Sequence, residues 1–292
     1  MQLLTWLVNP AVIGLGALFL AIVWMLRDET DRTRPLLVIA LVVNLFYGFL
    51  LSFVMGRENG LVPWKYDYVL ARLDEALGIT AAPIAARLQG WARIPLMVVY
   101  QLMVPMMVAW FLVVRRYRKA GPLVLTYVVE MMVGPALYAL VPGCGPIYAF
   151  RAAWLATPAV RPEVIRLSGM PNAFPSLHLG TALVFVLFAR GWIWRVVALA
   201  FLAGTALATL STGEHYVIDL VAGAAFGCFA AAAGQRRWAS SLLFGAITVA
   251  WSILVRAGHL WLIGHPEVVR VCAAGTVMAA VAGVWWMWKD GD

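Results

Sequence analysis

The sequence predicts an all-α fold, a polytopic bundle of membrane-spanning helices, and three observations carry that prediction. Hydrophobic residues fill 63% of the 292 positions and charged residues 12%, far more apolar surface than one soluble core hides. Apolar runs long enough to cross ~30 Å of hydrocarbon recur along the chain, about nine of them, or eight or fewer if neighbouring runs merge. Lysines and arginines gather at alternate ends of these runs, the pattern expected of helices that cross a bilayer back and forth.

The runs lie near residues 6–26, 35–55, 94–114, 122–141, 176–190, 192–211, 216–233, 240–260 and 268–288. The first has no Lys or Arg before it and no convincing small-residue cleavage site, so it is expected to stay as a span. It is followed by Arg27, Arg32 and Arg34, which puts the N-terminus outside and that loop inside. Alternation then places Arg115, Arg116, Arg118 and Lys119 inside, followed by Arg190 and Arg195, then Arg236 and Arg237, and finally Lys289. A net charge of +8 is thereby accounted for by topology and headgroup contact, and a nucleic-acid partner is the weaker reading.

The longest polar interruption, 56–93, is predicted outside, and its stretch from Trp64 to Leu73 reads either as a helix on the outer leaflet or as a solvated connector. A second external stretch, 141–174, contains Pro142-Gly143-Cys144-Gly145-Pro146 and the cations Arg151, Arg161 and Arg166. The chain divides into N-terminal spans with an external amphipathic segment (1–120), a core carrying the histidine motifs (121–235) and C-terminal spans (236–292). Cys144, Cys228 and Cys272 lack metal-ligand spacing, and neither a disulfide framework nor a zinc site is expected.

Chemistry concentrates at the two ends of one predicted helical hairpin. His178 lies about one turn into the fifth run, after Pro175 and Ser176, where free N–H groups and the positive end of the helix dipole favour an anion. His215 and Asp219 stand four apart at the start of the seventh run, a spacing that stacks them on one helix face. A carboxylate beside one imidazole nitrogen orients the ring and leaves the other nitrogen as nucleophile or base. Both histidines fall on the outer side although 37 positions separate them. The set points to phosphoryl transfer through a phosphohistidine, one His attacking phosphorus and the other protonating the departing oxygen. Zinc is the rival use of these residues, but the ligand set is one or two short. No Walker-type loop occurs, so the donor brings its own phosphate ester and no cofactor is expected.

Pro175-Ser176-Leu177-His178 followed by Ser211-Thr212-Gly213-Glu214-His215-Tyr216-Val217-Ile218-Asp219 resembles the paired motifs of the type 2 phosphatidic acid phosphatase superfamily of membrane enzymes. Within it the wording, with Phe174 ahead of the first motif, looks most like the inositol phosphorylceramide synthase branch. The resemblance covers roughly 120–235 and implies a six-helix core, with His215 as nucleophile, Asp219 as its orienting partner and His178 as general acid and base. Three departures stand out: Leu177 replaces the usual glycine, Thr209 stands where an arginine is usual, and Trp154 replaces the lysine of a first motif of which only Arg161-Pro162 remains. They favour the transferase branch and require phosphate-neutralising cations from elsewhere, Arg151 first and Arg256 second, with Ser176 as a further substrate contact.

Polar residues within spans usually face the bundle interior. Glu130 and Arg256 differ in depth by about six residues, roughly 9 Å, which argues against a direct ion pair. Glu130 is expected to stay protonated or to tie helices together, and Asn44 and Gln101 to bond between helices. The reading that results is a metal-independent lipid phosphotransferase of the inner membrane, with lipids as donor and acceptor and its site facing outward. Its alternatives are a lipid phosphate phosphatase using water and, from another class, an idle membrane protein or transporter.

Overall fold

A computed structural model of the protein describes residues 62–156 and 159–289, together with 16, 35 and 37–42. The runs predicted near 6–26 and 35–55 fall largely outside the described residues, as do Asn44 and the loop of Arg27, Arg32 and Arg34.

The described chain is a helical bundle, and each later apolar run becomes a helix. The run at 94–114 is two helices, α3 (Arg93–Gln101) and α4 (Met103–Arg115), set 58° apart. Pro105 causes the break: it lacks the N–H that would reach the carbonyl of Gln101, and its ring crowds that carbonyl. There follow α5 (Ala120–Leu140), α7 (Leu177–Phe188), α8 (Trp192–Thr212), α9 (Val217–Gly234), α10 (Trp238–Ala257) and α12 (Pro266–Lys289). Among the described residues five helices have the length and apolarity of a span, or six if the bent pair counts as one. The protein is thus an integral membrane helix bundle. With 12 residues, α7 rises only about 18 Å, too little to cross the hydrocarbon alone.

That short helix and α9 form the centre. Fourteen residues of α9 are buried, and it packs against α5, α7, α10 and α12. Since lipid is as apolar as leucine, close packing rather than water exclusion holds such helices together. Gly180, Gly223 and Gly227 supply it: a Cβ on Gly223 would come within 2.5 Å of the Ser176 carbonyl oxygen, and one on Gly227 within 2.6 Å of that of Gly180. The two histidine motifs are thereby brought side by side.

At the opposite end of α7, Arg190 donates to the Met287 carbonyl, while Arg195 and Arg237 lie over the rings of Trp288 and Trp286. Burial and the charges of Arg190 and Arg237 lower the pKa of Lys119 nearby. The basic groups that charge alternation assigned to one side therefore do meet at one end of the bundle, away from the histidines.

The segment around Trp64–Leu73 is more than a solvated connector, for it folds and packs one face on the bundle. Its helix α1 (Asp67–Leu77) buries Asp67, Val69, Leu70, Leu73, Asp74 and Ala76 against α9, α12 and the short α11 (His259–Gly264). A two-residue ribbon precedes it, β1 (Trp64–Lys65) antiparallel to β2 (Ile165–Arg166), a small exception to the all-α expectation. Two short helices complete the end of the bundle that carries the histidines: α2 (Ala81–Leu88), packed on α8, and α6 (Pro146–Phe150), which runs into a 3-10 turn at Arg151–Ala156.

Candidate functional site

Where α8 ends, Gly213 takes a left-handed conformation (φ 74°) and turns the chain into Glu214 and His215 before α9 begins. His215 is 1% exposed. Its Nδ1 lies 2.9 Å from the carbonyl oxygen of Ala173, which can only accept, so Nδ1 carries the proton and donates it there. Nε2 is left with its lone pair. The ring centroid of His178 is 6.0 Å from that of His215, and Tyr100 of α3 stacks on the other side of His178 at 4.4 Å. The hairpin therefore joins the two histidines as the motif spacing required.

Asp219 sits 3.5 Å from the same Nδ1, beyond good hydrogen-bond range, and its Oδ2 accepts instead from the Tyr216 N–H at 2.8 Å. The ring is thus oriented first by a backbone carbonyl, while the carboxylate caps α9 and stands ready to stabilise positive charge on the imidazole. Burial is the larger influence on the His215 ring, lowering its pKa to about 4 against the opposing pull of Glu214 and the Ala173 carbonyl, so the ring is neutral at ordinary pH. Ser176 is buried and caps α7, its Oγ accepting from Leu179 N–H at 3.3 Å, while its own N–H donates to the Asp219 carbonyl at 3.0 Å.

Tyr100 and Glu214, the neighbours of this pair, line a cavity of about 550 Å³ together with Gln89, Arg93, Gln101, Tyr148, Trp154 and Asn172, while neither histidine itself lines it. Glu214 accepts from the Tyr148 hydroxyl at 3.0 Å, and burial raises its pKa. Of the cations named from sequence, neither Arg151 nor Arg256 lines this cavity. Arg151 is exposed with a positive φ of 50° in the 3-10 turn, and the guanidinium of Arg256 donates to the Leu140 carbonyl. The exposed Arg93 does line it. Sequence reading passed over Arg93 as the edge of a span. Gln101, expected as an interhelical partner, also lines this space, and its amide nitrogen lies 3.9 Å from the Sδ of Met97 on its own helix. Glu130 joins α5 to α7 by accepting from Thr181 at 3.3 Å, as a helix-tying residue should, and Arg256 is elsewhere.

The departures from the superfamily wording have visible consequences. Leu177 is accommodated by Gly134 of α5, where an added Cβ would come within 2.6 Å of the leucine Cδ1. Trp154 lines the cavity and packs on Gly213. Thr209 is buried, its hydroxyl turned back to the Ala206 carbonyl at 3.0 Å.

Two carboxylates that sequence reading did not single out surround the site. Asp67 accepts from the N–H groups of Cys144 and Gly145 (3.0 and 2.8 Å) and from the Tyr216 hydroxyl (3.0 Å). Asp74 accepts from Val217 N–H at 2.8 Å and Ile218 N–H at 2.9 Å. Burial pushes both carboxyls up, opposed by these donors. The available signal was their spacing: seven apart on one helix, among apolar residues of the same face. Gly145 (φ 94°) must be glycine, since a Cβ there would meet the Glu214 carbonyl oxygen at 2.3 Å.

The family model of the PAP2 superfamily matches residues 69–233, more than half of the chain and both histidine motifs. The chain belongs to the PAP2 superfamily. Its members are phosphatases and phosphotransferases, so this bundle is a membrane protein of an enzymatic superfamily. No curated protein and no solved structure matches the chain. The matched range begins inside α1, so α1 with Asp74 belongs to the family unit as much as the histidines do. Among the described residues no three His, Cys, Asp or Glu side chains are grouped to hold a metal ion.

Proposed function

We propose that this PAP2 protein is a lipid phosphotransferase, moving a phosphoryl or phosphate-containing headgroup from a lipid donor to a second acceptor through a phosphohistidine on His215. The observation that carries the reading is a neutral, buried His215 whose Nδ1–H is fixed on Ala173 while the His178 ring faces it at 6.0 Å. Nε2 attacks phosphorus as the bond to the leaving oxygen breaks; His178, which takes up a proton as the anionic donor binds, gives it to that oxygen and then takes the proton from the acceptor hydroxyl; Asp219 stabilises the positive ring. Arg93 neutralises phosphate from across the cavity.

Two features support a lipid donor with an organic acceptor. The cavity beside Tyr100 and Glu214, about 550 Å³, falls in the ~300–1,000 Å³ range of small-molecule sites, with space for more than a phosphate. A second, apolar cavity of about 620 Å³ touches α7 from Leu179 to Val186 and runs along α9 and α12 to Trp288, a path suited to a hydrocarbon chain beginning one residue from His178. The branch reading, akin to the inositol phosphorylceramide synthases, rests on the Leu177 and Thr209 wording and the cavity's Trp154. The active site faces the extracytoplasmic side of the inner membrane, since the basic end of the bundle is opposite.

The test is to incubate the purified protein in lipid with labelled phospholipids and polyprenyl phosphates, with and without alcohol acceptors. A labelled lipid product that needs both acceptor and His215 establishes transfer. Phosphate released equally without any acceptor refutes transfer in favour of hydrolysis, and full activity in His215→Ala or His178→Ala removes the mechanism.

A further inference from the structure

Three consecutive N–H groups open α9, those of Tyr216, Val217 and Ile218, and carboxylates take all of them. Asp219 reaches back to the first from within α9. Asp74 takes the other two with one oxygen each, and it comes from α1, 143 positions earlier for Val217. It is 2% exposed, so these bonds form out of water, where a carboxylate shared between two amides is strong and well aimed. His215 lies two residues before Val217, on a turn whose own side-chain bond to α1 is that of the Tyr216 hydroxyl to Asp67. From the other end of the same helix turn, the Asp219 carbonyl accepts from Ser176 N–H, which begins the helix carrying His178. Hydrogen bonds therefore tie Asp74 to the start of α9, two residues from His215, and the start of α9 to Ser176, two residues from His178.

We propose that Asp74 is a positioning residue for the reaction: by gripping the first turn of α9 it sets where His215 Nε2 points and, through Asp219 and Ser176, its separation from His178. The inference rests on His215 being the nucleophile. It makes α1, an extramembrane helix outside the histidine motifs, part of the machinery rather than a cover over it. The neighbouring Asp67 grips Cys144, Gly145 and the Tyr216 hydroxyl, so the comparison for a contact that stabilises without aiming the ring is instead Arg270 of α12, which ties α1 through the Ala76 carbonyl and touches neither histidine motif.

Orthovanadate, which mimics a phosphoryl group in transfer and binds a free imidazole nitrogen, reads the aim of His215 without knowledge of the lipid. Its affinity is measured by calorimetry on the full chain in detergent–lipid micelles, for the unsubstituted protein, His215→Ala, Asp74→Asn, Asp74→Glu and Arg270→Gln, with unfolding temperature recorded for each. Asp74→Asn keeps one acceptor but turns an amide NH2 toward the second N–H. We expect it to remain folded and to bind vanadate 10- to 100-fold more weakly, the scale of one hydrogen bond to a charged group. Asp74→Glu, which keeps the charge, recovers part of that loss, whereas Arg270→Gln lowers the unfolding temperature with less than threefold change in affinity. Vanadate affinity in Asp74→Asn within threefold of the unsubstituted protein overturns the positioning role, as does an affinity loss in Arg270→Gln that matches it at equal loss of stability. Should Asp74→Asn not fold, unchanged affinity in Asp74→Glu despite the longer side chain also overturns it. Absence of His215-dependent binding in the unsubstituted protein removes the nucleophile itself, and with it the proposed function.

Discussion

Replacing Asp219 by Asn removes one negative charge 3.5 Å from His215 Nδ1 yet leaves an oxygen to accept from the Tyr216 N–H, so the helix cap survives. The ring is neutral at rest and its proton is already committed to Ala173, so the substitution should barely affect the ground state. The cost arises when phosphorus bonds to Nε2 and the ring becomes positive. At 3.5 Å and an effective dielectric of about 20 the attraction is about 5 kcal/mol, a ceiling. With about half of the charge developed in the transition state, about 2.5 kcal/mol is lost, close to a 10²-fold drop in turnover at ~1.4 kcal/mol per decade. Initial rates on the lipid ester identified by the labelling panel, with folding followed by circular dichroism, provide the assay. A rate within threefold of the unsubstituted protein refutes the charge-stabilising role. A loss as deep as that of His215→Ala refutes the orienting role given to the Ala173 carbonyl, because Asp219 would then be holding the tautomer.

Lowering the pH should weaken both activity and fold through the same ring. An unfolded histidine takes up its proton near pH 6.5, whereas the buried His215 does so near 4, so between these values the unfolded state binds more protons and stability falls as pH falls, by about 3 kcal/mol over the whole window. Unfolding at pH 7 and 4.5 should show a larger drop for the unsubstituted protein than for His215→Gln, and equal drops would contradict the burial argument. The acid limb of kcat/KM should lie near pH 4 rather than near 6.5. Gly134→Ala places a Cβ within 2.6 Å of Leu177 Cδ1 and should displace the first turn of α7, reducing turnover at least 10-fold; Leu177→Ala in the same chain should restore much of it, and additive losses in the double variant would show that the contact does not matter. Turnover should persist in excess chelator, and activity lost to chelator and regained with zinc would favour the metal reading.

Much of the site was legible in the chain because the relevant patterns are local. Apolar length marked α5, α8, α9, α10 and α12, and basic loops showed which ends meet, since both follow from the cost of polar groups in lipid. His178, His215 and Asp219 were recognisable from short motifs, and the hairpin between them left one geometric way to join them. The bend at Leu102 was also present in principle, as Pro105, but a continuous apolar run concealed it.

Other features depend on partners that no local pattern names. The Trp64–Leu73 stretch looked like a surface segment because its charges are indistinguishable, in sequence, from solvated ones. Folding places Asp67 opposite two amides 77 and 78 positions away and Asp74 opposite two that are 143 and 144 away, which turns exposed-looking carboxylates into buried anchors. The same holds for the Ala173 carbonyl that orients His215: every residue has such an oxygen, and only the path of the chain aims this one. Arg93 faces the cavity and Arg256 the end of α5 for a similar reason, since the reach of a cation is set by the helix beneath it. Hydrophobicity and motif spacing fix which residues enter the membrane and which carry reactive groups, because solvation acts on each residue separately. Which groups then meet is settled by packing, a property of pairs far apart in the chain.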